Sequence, residues 1–184
     1  GVRWAVEHGA KVINLSLGTS ASSVDVLQNA IEDAFNAGVV VITAAGNQAS
    51  PSVDFPGRSS STICVAAVDV DGAGAAFSSF GHSDVALSAP GVAIRSTYPG
   101  NLYRMWTGTS MSAPFVTGAA ALLAQLHPGW GHDEMEVRLT ATTQAISSVP
   151  ALAQLRDFGS GTLDVGAALA PDFVPGPNQT PDGE

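Results

Sequence analysis

The sequence predicts an α/β layered fold with a largely parallel sheet, and two patterns carry that prediction. Short β-branched or apolar runs alternate with longer stretches whose apolar residues recur every three to four positions, as strands alternating with helices do. The central runs, Val39–Thr43 and Ile63–Val68, are dominated by apolar residues without an apolar/polar alternation, as expected of strands covered on both faces of a parallel sheet. At 184 residues the chain has one domain's length and enough residues to bury a substantial core.

Taken in order, Trp4, Ala5 and Val6 read as the last turns of a helix that stops at Gly9, a residue type that accepts the positive φ common just past a helix end. Val12–Leu15 is a short apolar strand. Across Ser22–Ala37, Val24, Leu27, Ile31 and Phe35 fall at helical spacing, with Ser22 or Ser23 as N-cap and Gly38 after the end. The strands Val39–Thr43 and Ile63–Val68 flank Gln48–Ser61, which is rich in Ser, Pro and Gly and reads as a loop. Shorter strands follow at Val85–Ser88, Ala93–Thr97 and Leu102–Trp106. Ser110–Leu126 is a long apolar helix stopped by His127-Pro128-Gly129, and His132–Ala145 is a weaker one. Residues 1–170 make the domain; residues 171–184 combine Pro, Gly, Asn and acid without an apolar face and read as a tail or linker.

Composition removes several classes of function. Seven Lys+Arg against 16 Asp+Glu leave a net charge of −9, so no basic field exists to hold nucleic acid or an anionic membrane. Apolar stretches such as Val116–Leu126 fall short of the ~20 residues that span a bilayer. The single cysteine, Cys64, excludes an internal disulfide and a cysteine-rich metal site. Flanked by Ile63 and Val65, it reads as a small buried hydrophobe.

In open parallel sheets, sites form at the carboxyl ends of strands, where loops meet helix N-termini. Two segments satisfy that rule and carry reactive groups. Gly108-Thr109-Ser110-Met111-Ser112-Ala113-Pro114 puts Ser110 at the start of the most apolar helix, among unpaired N–H groups and at the positive end of the helix dipole. Charge developing on a bound carbonyl oxygen is stabilised there, which makes Ser110 a candidate nucleophile. Ala44-Ala45-Gly46-Asn47 places an amide just past the most β-branched strand, where it can be a second donor to the same oxyanion. Each segment also has a plainer explanation, a helix N-cap for Ser110 and a turn residue for Asn47.

Together, in this order and with their neighbours, these segments resemble the subtilisin-like serine proteases, and the resemblance runs from about Gly1 to Ala170. Val12-Ile13-Asn14-Leu15-Ser16-Leu17-Gly18 is similar to the family's substrate-binding strand. Val40–Asn47 is similar to the strand and turn carrying its oxyanion asparagine, and Gly108–Pro114 to its nucleophile motif. Phe77-Ser78-Ser79-Phe80-Gly81, Ala89-Pro90-Gly91-Val92 and Gly159-Ser160-Gly161 match connecting segments. The resemblance implies a three-layer α/β fold with helices on both faces of the sheet, incomplete on its N-terminal side. It also implies that Ser110 attacks a scissile peptide carbonyl while Asn47 helps bind the oxyanion. Ser16, Leu17, Gly18 and Ala44, Ala45, Gly46 then form two walls of the pocket for the residue before the scissile bond. Asp54, ahead of Phe55-Pro56, falls at or near the pocket base, where a carboxylate attracts Lys or Arg; its plainer explanation is a solvated loop residue.

Two departures accompany the match. Phe115 stands where the family usually has a structural His. The family's triad runs Asp, His, Ser, and its Asp and His motifs are not found here: His8, His82, His127 and His132 read as surface or turn residues. The chain is therefore expected to be the C-terminal part of a protease domain, inactive alone, poorly soluble and partnered by an N-terminal segment carrying Asp and His. The expected substrate is a protein or peptide. No cofactor is expected for the chemistry; calcium commonly stabilises the family, but no acidic cluster here has calcium-loop spacing. Family habit implies export from the cell. A non-catalytic pseudoprotease or peptide-binding module is the alternative, whereas an esterase is rejected because Gly108-Thr109-Ser110-Met111-Ser112 lacks the second glycine of a nucleophile elbow.

Overall fold

The computed structural model describes residues 1–20, 25–81, 83–147 and 157–171. Helix α1 (Val2–Glu7) leads into strand β1 (Val12–Leu15), helix α2 (Asp25–Asn36) and strand β2 (Val40–Ala44). With β3 (Ile63–Val68) and β4 (Leu87–Pro90) these strands form a sheet in the order β1-β2-β3-β4. Every pairing is parallel, with Leu15 opposite Thr43, Thr43 opposite Cys64 and Val65 opposite Leu87, so all four carboxyl ends lie on one side. Strands β5 (Ile94–Tyr98) and β6 (Leu102–Trp106) form a separate antiparallel hairpin. Helices α3 (Thr109–Leu126), α4 (His132–Ala141) and α5 (Val165–Leu169) follow.

Side chains of a strand alternate between faces, and that alternation builds three layers. Val40, Ile42, Ala44, Ile63, Val65, Leu87 and Ala89 pack with Val116, Ala120 and Leu123 of α3 and with Met135 and Leu139 of α4. Toward the other face, Val41, Ile13 and Leu15 meet Val2 of α1 and Ala30 and Ala34 of α2. Cys64 and Ala66 close a third cluster with Val53, Val85 and Phe158. Burial pushes the Cys64 thiol up to about 12, so it stays protonated and acts as the small hydrophobe its neighbours predict. The α3 side is the larger core, and it holds the helix that carries Ser110 against all four strands.

Several boundaries differ from those the sequence predicts. Strand Val85–Ser88 is shifted to Leu87–Pro90, because Val85 turns away into the Cys64 cluster. The helix predicted to reach Ala145 stops at Ala141: the hydroxyls of Thr142 and Thr143 bond back to the carbonyls of Arg138 and Thr140, and Gln144 pairs with Thr162. Helix α5 is not anticipated by apolar spacing; its signal is Asp164, whose carboxylate accepts the Ala167 N–H at 2.9 Å. Val12, Ile13 and Leu15 are half-buried, whereas Val39–Thr43 is fully buried between α2 and α3. The N-cap serines Ser22 and Ser23, His82 and residues 172–184 lie outside the described residues.

Candidate active site

The register of β1 and β2 sets the site. Because Leu15 pairs with Thr43, the segments Ser16-Leu17-Gly18 and Ala44-Ala45-Gly46 leave the sheet side by side. The chain then turns through Gly46 at φ +104°, a conformation L residues rarely adopt, and presents Asn47. The start of α3 arrives between these two segments.

Four bonds lock it there. Asn47 Oδ1 accepts from the Thr109 N–H at 2.9 Å and from the Thr109 hydroxyl at 3.1 Å, while that hydroxyl accepts from the Gly46 N–H at 3.1 Å. An N–H can only donate, so the carboxamide oxygen must face Thr109 and the two Nδ2 protons face away. Among the described residues Nδ2 has no protein acceptor. The Gly108 N–H donates to the Gly91 carbonyl at 2.8 Å. Gly91 admits no side chain: a Cβ there would lie 2.4 Å from Ser112 Oγ and 2.7 Å from Ala67 Cβ. Ser112 Oγ is itself buried, without a hydrogen-bond partner among the described residues.

Ser110, the second residue of α3, is half-buried, and its hydroxyl donates to the Ser16 carbonyl at 3.2 Å. Ser110 and Asn47 share a cavity of about 160 Å³ with Leu17, Gly18, Ala44, Gly46 and Asp54. Gln48 and Thr109 complete its wall. Ser110 and Asn47 therefore line one cavity. Asp54 is held by its N–H on the Ala45 carbonyl at 3.0 Å and by the mutual backbone bonds of Phe55 and Thr19. Its side chain fills the space beside Gly18 and Gly46: a Cβ on Gly18 would sit 2.8 Å from Asp54 Cβ, and one on Gly46 2.7 Å from Asp54 Oδ2. Both positions must stay glycine for the carboxylate to be where it is.

Two of the predicted wall residues take other places. Ala45 is buried behind the cavity with Val53 and Cys64. Ser16 hydrogen-bonds the main chain of Ser110 instead of lining the cavity. Thr109, Gln48 and Asn14 are not singled out by the sequence; Thr109 lies inside the motif but its contact is 62 residues away. None of the described histidines lines the cavity. His8 stacks on Trp4, His127 stacks on Trp130, and buried His132 sits 3.1 Å from Glu136. Among the described residues no group of three or more His, Cys, Asp or Glu is placed to hold a metal, and no helix is long and apolar enough to cross a membrane. A larger cavity of about 650 Å³, bordered by Arg58, Asp84, Glu136 and Asp157, holds neither Ser110 nor Asn47.

The family model described as the subtilase family, Peptidase S8, matches residues 1–161. The chain belongs to the subtilase family. This subtilase is 38% identical over 168 residues to a thermostable alkaline protease of Halalkalibacterium halodurans, covering 91% of this chain and 44% of that protein. It is 37% identical to subtilisin BL of Lederbergia lenta over 91% of this chain and 60% of the relative. Among solved structures, a protease of Pseudoalteromonas arctica matches with a TM-score of 0.79 and 36% identity over 86% of this chain and 50% of that one. The patellamide maturation protease PatA matches with a TM-score of 0.80 and 30% identity over 91% and 64%. The subtilase chain thus spans roughly half the length of the curated relatives it matches, 44% and 60% for the two named. Its three-layer α/β architecture is that of the solved subtilisin-like proteases.

Proposed function

We propose that the protein is a serine endopeptidase. In this reading Ser110 Oγ attacks the carbonyl carbon of the scissile peptide bond, and a histidine takes the hydroxyl proton as the C–O bond forms. The carbonyl oxygen becomes an oxyanion that Asn47 Nδ2 and the Ser110 N–H stabilise. The proton then passes to the leaving amine nitrogen, the C–N bond breaks, and water hydrolyses the acyl-serine by the same route. The histidine and its orienting aspartate are assigned to a segment N-terminal to these residues. That segment would also cover the half-buried outer side of β1. By family likeness the protein works outside the cytoplasm on protein or peptide substrates.

The observation that carries this reading is the convergence of Ser110 and Asn47 on one cavity, with Asn47 Oδ1 spent on Thr109 and both Nδ2 protons left for substrate. The test is labelling by a fluorophosphonate, which bonds covalently to activated serines, in the protein expressed at its full natural length. Label is expected on the wild type and absent from Ser110→Ala. No label on either leaves the peptide-binding module as the reading.

For specificity we propose that Asp54 favours Lys or Arg before the scissile bond. The geometry beside Gly18 and Gly46 supports it, and a charge-assisted hydrogen bond there is worth about 1–3 kcal/mol. Equal kcat/KM for Arg and Phe substrates, unchanged by Asp54→Asn, would sink this proposal.

A further inference from the structure

Helix α3 has a gap in its ladder directly under the nucleophile. In an α-helix the carbonyl of residue i accepts from the N–H of residue i+4. For Ser110 that residue is Pro114, which has no N–H. The Ser110 carbonyl is served from outside the helix instead, by the Ser16 hydroxyl at 2.8 Å.

Counting protons then fixes the direction of the bonds that reach it from Asn14. The Ser110 carbonyl can only accept, so the one proton of the Ser16 hydroxyl is committed to it. Asn14 lies 2.9 Å from Ser16 Oγ and must face it with the donor Nδ2. Its Oδ1 therefore faces Thr117 Oγ1, also at 2.9 Å, whose single proton is shared between Asn14 Oδ1 and the Ala113 carbonyl at 2.9 Å. Asn14 and Ser16 are two residues apart on an extended segment, so both project toward α3, and Thr117 is on α3 itself. The result is a one-way relay from the Asn14 amide through Ser16 to the main chain of Ser110.

We propose that Asn14 is a positioning residue for the nucleophile. By presenting a donor to Ser16 it leaves that hydroxyl no option but the carbonyl that Pro114 leaves unserved, and so holds the Ser110 backbone, and with it Oγ, in register with the cavity. The inference rests on Ser110 being the nucleophile.

The decisive variant is Asn14→Asp in the full-length protein. It keeps size and shape but replaces the donor with an acceptor. Ser16 then turns its proton toward the introduced carboxylate, and the Ser110 carbonyl loses its partner. The plateau kcat on a chromogenic peptide is expected to fall about tenfold or more, with KM changed less than about twofold, because misplacing a reacting group costs rate before it costs binding. The added charge acts differently: it shifts the pH-rate profile sideways, so the plateau separates the two effects.

Adding Pro114→Ala supplies the missing N–H and is expected to restore most of the loss, a coupling that a merely structural Asn14 would not show. A wild-type plateau in Asn14→Asp, or a loss that Pro114→Ala leaves untouched, would overturn the inference. Should the aspartate variant not fold, Ser16→Ala replaces it: it removes the hydroxyl that serves the Ser110 carbonyl, the same fall in kcat is expected, and an unchanged kcat there overturns the inference equally. A crystal structure of Asn14→Asp tests the relay without any activity. Ser16 Oγ is expected to donate to the introduced carboxylate, and finding it still on the Ser110 carbonyl would refute the relay. A protein in which the relay switches as expected but which reacts with no substrate at all would count against the proposed function alone.

Discussion

Helices α3 and α4 both begin after a glycine, Gly108 and Gly131, yet their first turns are held in opposite ways. At α4 the partner is local: Glu134, three residues into the helix, accepts the Gly131 N–H at 2.9 Å, half of a capping box that glycine has no side chain to complete. At α3 the partners are distant. Asn47 takes the Thr109 N–H from 62 residues away and Ser16 takes the Ser110 carbonyl from 94 residues away. A helix start capped by its own sequence is a device of stability. A helix start capped by two other strand ends is placed in space by the whole sheet, which is what a reactive group needs.

The comparison can be broken most decisively at Ser110. Ser110→Ala is expected to abolish peptide hydrolysis and fluorophosphonate labelling while leaving circular dichroism and Tm unchanged. In subtilisin itself the corresponding loss is about 10⁶ in kcat. Asn47→Leu comes next, because it removes both the oxyanion donor and the cap on Thr109. It should cost about 10²–10³ in kcat and lower stability by about 1 kcal/mol, measured by steady-state kinetics and urea denaturation.

Glu134→Ala sharpens the contrast from the other side. It should cost under about 1 kcal/mol of stability and leave kcat unchanged; a loss of kcat would mean that the two helix starts are coupled. The smallest effect belongs to the local cap of α5. There the Ala167 N–H, and after it the Gln144 amide, hold the Asp164 carboxyl below its usual range. A depressed carboxylate stabilises the fold above its unfolded pKa and loses that contribution as pH falls through the folded one. The Tm difference between wild type and Asp164→Asn should therefore be full at neutral pH and vanish in strong acid.

How much of the molecule is legible in the sequence follows the same division. Strands β2 and β3 are visible because unbroken apolar runs have few uses other than a twice-covered strand, and α3 because its long apolar stretch supplies a face that packs on the sheet, although Phe115, Leu122 and Leu126 stay exposed. Ser110 and Asn47 are visible through the residues around them. The bonds that make them a site are not, since nothing in the order of residues says that position 16 will lie against position 110 or that a threonine beside the nucleophile will turn an amide around. Pro114 looks in sequence like a harmless first-turn residue; its actual effect, an orphaned carbonyl on Ser110, emerges only when the residue serving that carbonyl is seen. The end of α4 is hidden for a related reason: the threonines that stop it act through their hydroxyls, which leave no mark on a pattern of apolar spacing.

Gly91 touches no candidate substrate-binding group, yet its missing side chain is what allows the turn after β4 to lie flush against Ser112 and to receive the Gly108 N–H. A single methyl group placed there would act as a wedge driven from behind, tilting the first turn of α3 without altering any residue of the cavity. Changes that displace the start of α3 can therefore arise at Gly91, which is not among the residues lining the cavity that Ser110 and Asn47 share.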